Sequence, residues 1–442
     1  MTHLRNGLLV ASMALLAACN NDLPDQPGAL IVFETNPSYA LGGDNNLQAY
    51  WVAALHPETH EVLDAQPIIP GENTTLIKPF LFAQDTYDLM LVRGFGVSDF
   101  NGSFDRVQVT MYEDFIPTTI TLSGGGGGSS NGGDPSIGTF PRAESILNGV
   151  SSSEFGTFNY RLASDMNQVD GEFDGANVTF SAEDYGTRSG RYLLLREHRD
   201  GTPGWAYQQR LNQDGSAAMV FENDAWTETE VASYRYNGSA DWISTSVAGT
   251  TSGGSSITLS STNEQSPTSE YYYPLLPDAF PLQRLSFSAG WDNGDFNKDF
   301  YYSKEGTLPN EIPSFEADLP INSAYASDFS AGPVEGEIDY IRAYFSFING
   351  DFESGYITYT LFMNPEEELW SPTEIDWPQD MVNTFPFLDD LAYWQQQFTS
   401  ISLEEQSFYN GYPDVIDQIA NQRSVSTDDS ETFALTYSFN FQ

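Results

Sequence analysis

The chain of 442 residues is poor in cysteine, histidine and positive charge. It has one cysteine, so it can form neither an intramolecular disulfide nor a thiolate metal cluster. It has four histidines, and with His3 inside the amino-terminal segment read below as a cleaved signal, a histidine-dependent triad could draw only on His56, His60 or His198. No recognisable nucleophile motif accompanies any of them. Lys and Arg number 17 against 62 Asp and Glu, a formal net charge of −45. A surface of that sign repels phosphate backbones, which excludes nucleic acid as a partner. It also opposes direct adsorption to an anionic lipid surface. The apolar run Leu8–Leu16 is too short to cross a bilayer as a helix. What is plentiful is aromatic: 8 Trp, 24 Tyr and 30 Phe. With 40% hydrophobic residues, this composition excludes global disorder and gives enough chain for two or three cored domains.

The amino terminus has the three parts of a secretion signal. Arg5 supplies positive charge, Leu8–Leu16 an apolar stretch, and Ala17 and Ala18 the small residues of a cleavage site. The lone cysteine, Cys19, comes next. Leu16-Ala17-Ala18-Cys19 resembles the lipobox of bacterial lipoproteins. The resemblance implies that residues 1–18 are a signal peptide and that the Cys19 thiol receives a diacylglycerol. It further implies cleavage before Cys19, acylation of the new amine, and a membrane as partner through that anchor. Two or more acyl chains make such attachment stable. Asn20 stands where, in that family, an aspartate retains the protein in the inner membrane, so the resemblance implies the outer membrane. Residues 19–28 read as a tether reaching roughly 30 Å at most.

Beyond the tether the fold class expected is mainly β. Residues 29–122 carry short β-rich runs bounded by Gly, Pro, Asn and Asp, the pattern of a small sandwich. Phe82–Leu89 (FAQDTYDL) resembles the penultimate-strand turn of immunoglobulin-like and prealbumin-like modules. Residues 123–138 (SGGGGGSSNGGDPSIG) are a flexible Gly/Ser linker spanning roughly 20–24 Å. Residues 139–442 read as a larger antiparallel β-rich domain, punctuated by Asn-Gly and Asp-Gly hairpin signals such as Asp174-Gly175 and Asn293-Gly294. A helical insert is expected at about 386–422. Phe387, Leu388, Leu391, Trp394 and Phe398 share one helical face, Ser402 and Glu405 resemble a capping box, and Val415, Ile416 and Ile419 follow Pro413. The predicted helices are 387–399, 403–409 and 413–422.

Candidate chemistry is sparse. His56 and His60 flank Pro57-Glu58-Thr59, which reads as a turn rather than a helical metal motif. Asp295, Asn297 and Asp299, with Asn293, alternate like the start of a calcium loop. The loop's sixth-position glycine and distal glutamate are missing, with Lys298 and Lys304 in their place, so hairpin polarity is the simpler reading. Asp389-Asp390 and Glu366-Glu367-Glu368 read as solvated acids. Tyr271-Tyr272-Tyr273, Trp205, Trp226, Trp242, Trp291 and Trp370 are candidate sugar-stacking rings, although such residues more often fill β cores. No cofactor site and no catalytic motif are legible.

These features predict a lipid-anchored outer-membrane or cell-envelope lipoprotein whose β body is a non-catalytic binding or structural module. Its expected partners are the membrane and a glycan or envelope protein. The alternative is a carbohydrate-binding or carbohydrate-active protein, recognisable by a concave groove of aromatic and acidic residues within 139–442. A membrane-spanning barrel is a third possibility, raised by the alternating final strand Phe433–Phe441 and opposed by long irregular stretches such as Thr307–Pro333.

Overall fold

β-Branched and aromatic residues in alternation with small polar ones build one dominant sheet. Its twelve strands are β1 (Leu47–Leu55), β2 (Val62–Pro67), β3 (Tyr87–Asp99), β4 (Gly102–Phe115), β5 (Trp242–Thr250), β6 (Ser256–Glu264), β7 (Leu282–Asp292), β8 (Asn297–Glu305), β9 (Tyr340–Ile348), β10 (Tyr356–Met363), β11 (Gln395–Gln406) and β12 (Glu431–Asn440). Their spatial order is β6-β5-β7-β8-β12-β11-β9-β10-β4-β3-β1-β2. The structure is a computed structural model. It describes residues 28–35, 47–79, 82, 84–99, 102–122, 145–164, 168–180, 190–198, 203–212, 219–250, 256–265, 270–276, 280–348, 356–367, 375–385, 388, 395–420 and 429–441. The mainly β class expected from sequence is what the chain adopts. The lipobox residues Leu16, Ala17 and Ala18, together with Cys19, the tether up to residue 27 and the linker 123–138, lie outside the described residues.

Every neighbouring pair in the sheet is antiparallel except one. β4 and β10 run parallel, with Arg106 opposite Tyr356 and Tyr112 opposite Phe362. Strands from both sides of the linker therefore share one hydrogen-bonded sheet. The reason lies in the apolar rows. Val107, Val109 and Met111 of β4 continue the row made by Ile357, Tyr359 and Leu361 of β10, and one core buries both. Pairing also satisfies ladder groups that an exposed β4 edge would leave open. A local two-layer arrangement does form. Strand Ala29–Thr35 pairs with Thr74–Ile77 and, in parallel, with Thr118–Leu122. This small sheet covers Tyr50, Val52, Ala54 and Leu89 on the far face of the large one.

The main core lies on the opposite face. Phe287, Phe300, Tyr302, Phe345, Leu403 and Leu435 point into it from the sheet. The cover comes from a two-stranded ribbon (Glu230–Arg235 with Glu270–Leu275) and from the irregular segment 306–338, which contributes Ile312, Leu319, Ala326 and Phe329. Each large side chain buried this way stabilises by about 1.5–3 kcal/mol before entropy is counted. A third core (Leu147, Leu162, Phe180, Leu194 and Phe221) lies between a five-stranded and a four-stranded sheet of residues 145–228.

Helices are short: α1 (Ser152–Thr157), α2 (Gln379–Thr384) and α3 (Tyr412–Ala420). α3 matches the predicted 413–422 helix, with Val415 and Ile416 buried. The other two predicted helices are corrected. Residues 395–406 form β11, between β9 and β12, and the predicted 403–409 helix is strand through Gln406. Thr399, Ile401 and Leu403 supply an inward row of period two, and pairing on both edges outweighs the helical spacing of the preceding apolar residues. Ser402 makes no cap; its hydroxyl lies 2.7 Å from that of Thr436 across the strand pair. Phe387, Leu391 and Trp394 lie outside the described residues. Among the described residues no helix is long and apolar enough to cross a membrane.

Candidate functional site

The β7–β8 hairpin turns at Asn293-Gly294, as its dipeptide predicts. Asn293 N–H donates to Phe296 O at 3.1 Å and Gly294 adopts φ +80°. The Asp292 carboxylate accepts the Gly294 N–H at 2.8 Å and so caps the turn. Just inside this hairpin, on the core face of the sheet, a cavity of about 830 Å³ opens to solvent. Its floor is Phe300 and Leu435; its walls include Trp291, Tyr236, Phe315 and Lys298.

The roof is fixed by backbone. Arg235 N–H donates to Asn310 O at 3.0 Å, and Ile312 N–H returns to Arg235 O at 2.8 Å. These bonds lay residues 310–312 beside the ribbon and carry Glu311 and Phe315 over the sheet. The rings are seated from behind. Trp291 Nε1–H donates to Ser239 O at 2.6 Å. Phe315 stacks on Phe433 with centroids 5.4 Å apart and planes at 19°. Tyr236 packs on Phe287 at 4.8 Å, and burial raises its phenol pKa. These rings therefore need little reordering to meet a ligand.

Polar groups sit at the mouth. Asn237 Nδ2 donates to Glu311 Oε1 at 2.5 Å, and Asn293 also lines the opening. Lys298 is occupied: its Nζ lies 3.3 Å from Asp318 Oδ1 and 5.1 Å from the Tyr437 ring centroid. The Tyr437 hydroxyl first, and then Lys298, hold the Asp318 carboxyl below its usual range. Among the described residues lining the cavity, Glu311 is the sole carboxylate and there is no histidine. A glycosidase needs two carboxyl groups roughly 5–9.5 Å apart across its substrate, and this lining does not supply that pair.

The other sequence candidates scatter. Trp205, Tyr271 and Tyr273 are buried in cores, and Tyr272 is exposed with its hydroxyl on Glu270. Trp226 lies against Tyr160 and the Arg196 guanidinium, outside the cavity. Trp242 is half-buried at the start of β5. Trp370 lies outside the described residues, as do Glu368, Asp389 and Asp390. Of the rings singled out from sequence, Trp291 lines the cavity; Tyr236, Phe315 and Glu311 were not singled out. Asp295 falls in the hairpin turn, while Asn297 and Asp299 fall on β8, opposite Asp292 and Gly290. Among the described residues no three His, Cys, Asp or Glu converge in a way that could hold a metal.

His56 and His60 flank a turn, as expected: His60 N–H donates to His56 O at 2.8 Å and His56 N–H to Glu61 O at 2.9 Å. Their imidazoles diverge. His56 meets the Phe82 ring edge-on, and His60 reaches Asp88. A second cleft, of about 600 Å³, is lined by Glu337, Asp339, Glu366 and Glu405. Asp339 accepts the N–H groups of Gln406 at 2.7 Å and Gly411 at 2.9 Å, so it ties the chain before α3 to the sheet.

No protein-family model matches this chain, and no curated protein matches it.

Proposed function

We propose that this protein is a lipid-anchored lipoprotein of the outer membrane or cell envelope, and that its β body is a non-catalytic ligand-binding module working through the cavity beside the β7–β8 hairpin. The sequence Leu16-Ala17-Ala18-Cys19 supports the anchor. One observation supports binding: an open cavity of about 830 Å³ whose rings are fixed from behind and whose polar groups sit at the rim. Small-molecule sites fall at roughly 300–1,000 Å³ and combine apolar walls with a few placed polar groups. Glu311, the single carboxylate among the described lining residues, favours binding over hydrolysis.

Two measurements test this reading. Labelled palmitate should enter the full-length chain and be lost in Cys19→Ala; label persisting in that variant removes the anchor. The neutral dye Nile red should brighten in the cavity of the purified protein, and the Trp291→Ala/Phe315→Ala double variant should lose most of the signal. Equal brightening in the double variant removes the binding site.

A further inference from the structure

The cavity's polarity narrows what it can take. Its apolar surface combines the rings of Tyr236, Trp291, Phe300 and Phe315 with Ile312, Pro313 and Leu435, and two of the rings, Trp291 and Phe315, are held by contacts on their far sides. Fixed rings suit a ligand that offers flat C–H surfaces. Its rim carries amide and carboxylate groups, Asn237, Asn293 and Glu311, which pair with hydroxyl donors and acceptors. A ligand with C–H faces and hydroxyl edges is a sugar.

Charge decides which sugar. The one cation among the described lining residues, Lys298, already faces Asp318. Glu311 places a carboxyl group at the mouth, and the chain as a whole carries a formal charge of −45. Uronates and sulfated sugars would meet repulsion, with no free cation among the described lining residues to offset it. Resting on the binding reading above, we infer that the cavity takes a neutral saccharide, with pyranose faces on Trp291 and Phe315 and hydroxyls on Asn237, Asn293 and Glu311.

Affinity electrophoresis of the purified full-length protein tests this, in gels containing laminarin, galactomannan, xylan, dextran or alginate. The expected result is retardation by at least one of the four neutral polymers and none by alginate. Trp291→Ala should weaken the retardation about tenfold or more, as loss of a central aromatic anchor does. Tyr272→Ala, an exposed tyrosine outside the cavity, should leave it unchanged. Circular dichroism reports whether Trp291→Ala is folded. The exposed pair Asn237→Ala/Glu311→Ala gives a second route to the same loss without touching the packed rings. Retardation by alginate alone, migration unaffected by all four neutral polymers, or retardation that survives both cavity variants overturns the assignment. If Nile red still reports the cavity while no neutral polymer retards the protein, the saccharide assignment falls and the binding reading stands. If the dye also fails, both fall.

Discussion

His60 Nδ1 lies 3.1 Å from Asp88 Oδ2, and the Asp88 side chain is 1% exposed. Two residues in left-handed backbone close on this carboxyl: His60 itself at φ +55° and Asp114 at φ +52°, whose N–H donates to Asp88 Oδ1 at 3.2 Å. Asp114 in turn accepts from Thr86 and Asn364, so the cluster joins the early strands to the end of β10. Such conformations cost about 1–3 kcal/mol each in non-glycine residues and persist where the surroundings hold them.

Burial first, and then the charges of Asp114 and Glu367, push the Asp88 carboxyl well above its usual range. The folded state therefore holds this proton more tightly than the unfolded chain does. The associated stability is complete below the unfolded value of about 4 and declines as pH rises through the raised folded value. Asp88→Asn keeps the shape and an acceptor for the Asp114 N–H but cannot ionise. Its melting temperature should gain on the wild type as pH climbs from about 4 towards neutrality. Thermal unfolding followed by circular dichroism at several pH values measures this, and parallel curves for the two proteins would contradict it.

Arg106 stands at the parallel seam. Its guanidinium sits 4.3 Å over the Phe95 ring and donates to the Tyr356 hydroxyl at 3.1 Å. No carboxylate pairs with it among the described residues. Arg106→Ala should cost about 1–2 kcal/mol through lost stacking and packing, with little change between low and high salt. Arg284→Ala is the contrast. It breaks an exposed pair with Glu305 at 2.6 Å, which is worth at most about 1 kcal/mol and weakens with salt. Urea melts at two ionic strengths separate the two cases; a salt-sensitive loss at Arg106 would show that an ion pair dominates there.

Local pattern and tertiary assembly divide what the sequence could reveal. Alternation marks β12, the dipeptide Asn293-Gly294 marks its hairpin, and Val415, Ile416 and Ile419 mark α3. All of these depend on neighbours in the chain. The parallel pairing of Arg106 with Tyr356 joins residues 250 positions apart, and no local signal encodes it. β11 is masked in the sequence because the helical spacing before it is longer than its own row of Thr399, Ile401 and Leu403. The cavity shows the same division. Trp291 was visible as a ring, but Tyr236, Phe315 and Glu311 meet it only because residues 310–312 lie beside the ribbon.

Asp318 gives the opposite pH signature to Asp88. Its carboxyl is held low by the Tyr437 hydroxyl and by Lys298. A depressed carboxyl stabilises the fold above the unfolded value and loses that contribution as pH falls through the folded one. The residue is about half exposed, so solvent screening keeps the effect below about 1 kcal/mol. Asp318→Asn should be less stable than wild type at neutral pH, and the gap should close below about pH 4. A gap that widens in acid would reverse the sign argued here.

Gly336 tests the cover over the main core. It adopts φ +96°, and a Cβ placed there would lie 2.1 Å from Glu316 O and 2.9 Å from Ala317 Cα, both backbone atoms. Beside it, Asp318 N–H donates to Glu335 O at 3.0 Å and Glu335 N–H to Asp318 O at 2.9 Å. This bridge closes residues 318–335 into a loop whose Leu319, Ala326 and Phe329 are buried against the sheet. Gly336→Ala meets both a conformational penalty and a clash that side-chain rotation cannot relieve. The expected cost is about 2–4 kcal/mol, combining left-handed strain with a forced backbone shift. The shift would move Ala317 and Phe315, which line the cavity, so Nile red brightening should fall with stability. An Asp318→Asn protein leaves that backbone in place and should keep the dye signal. Loss of dye signal in Gly336→Ala under conditions where it remains folded would tie the cover to the cavity, and an unchanged signal would show that the two are independent.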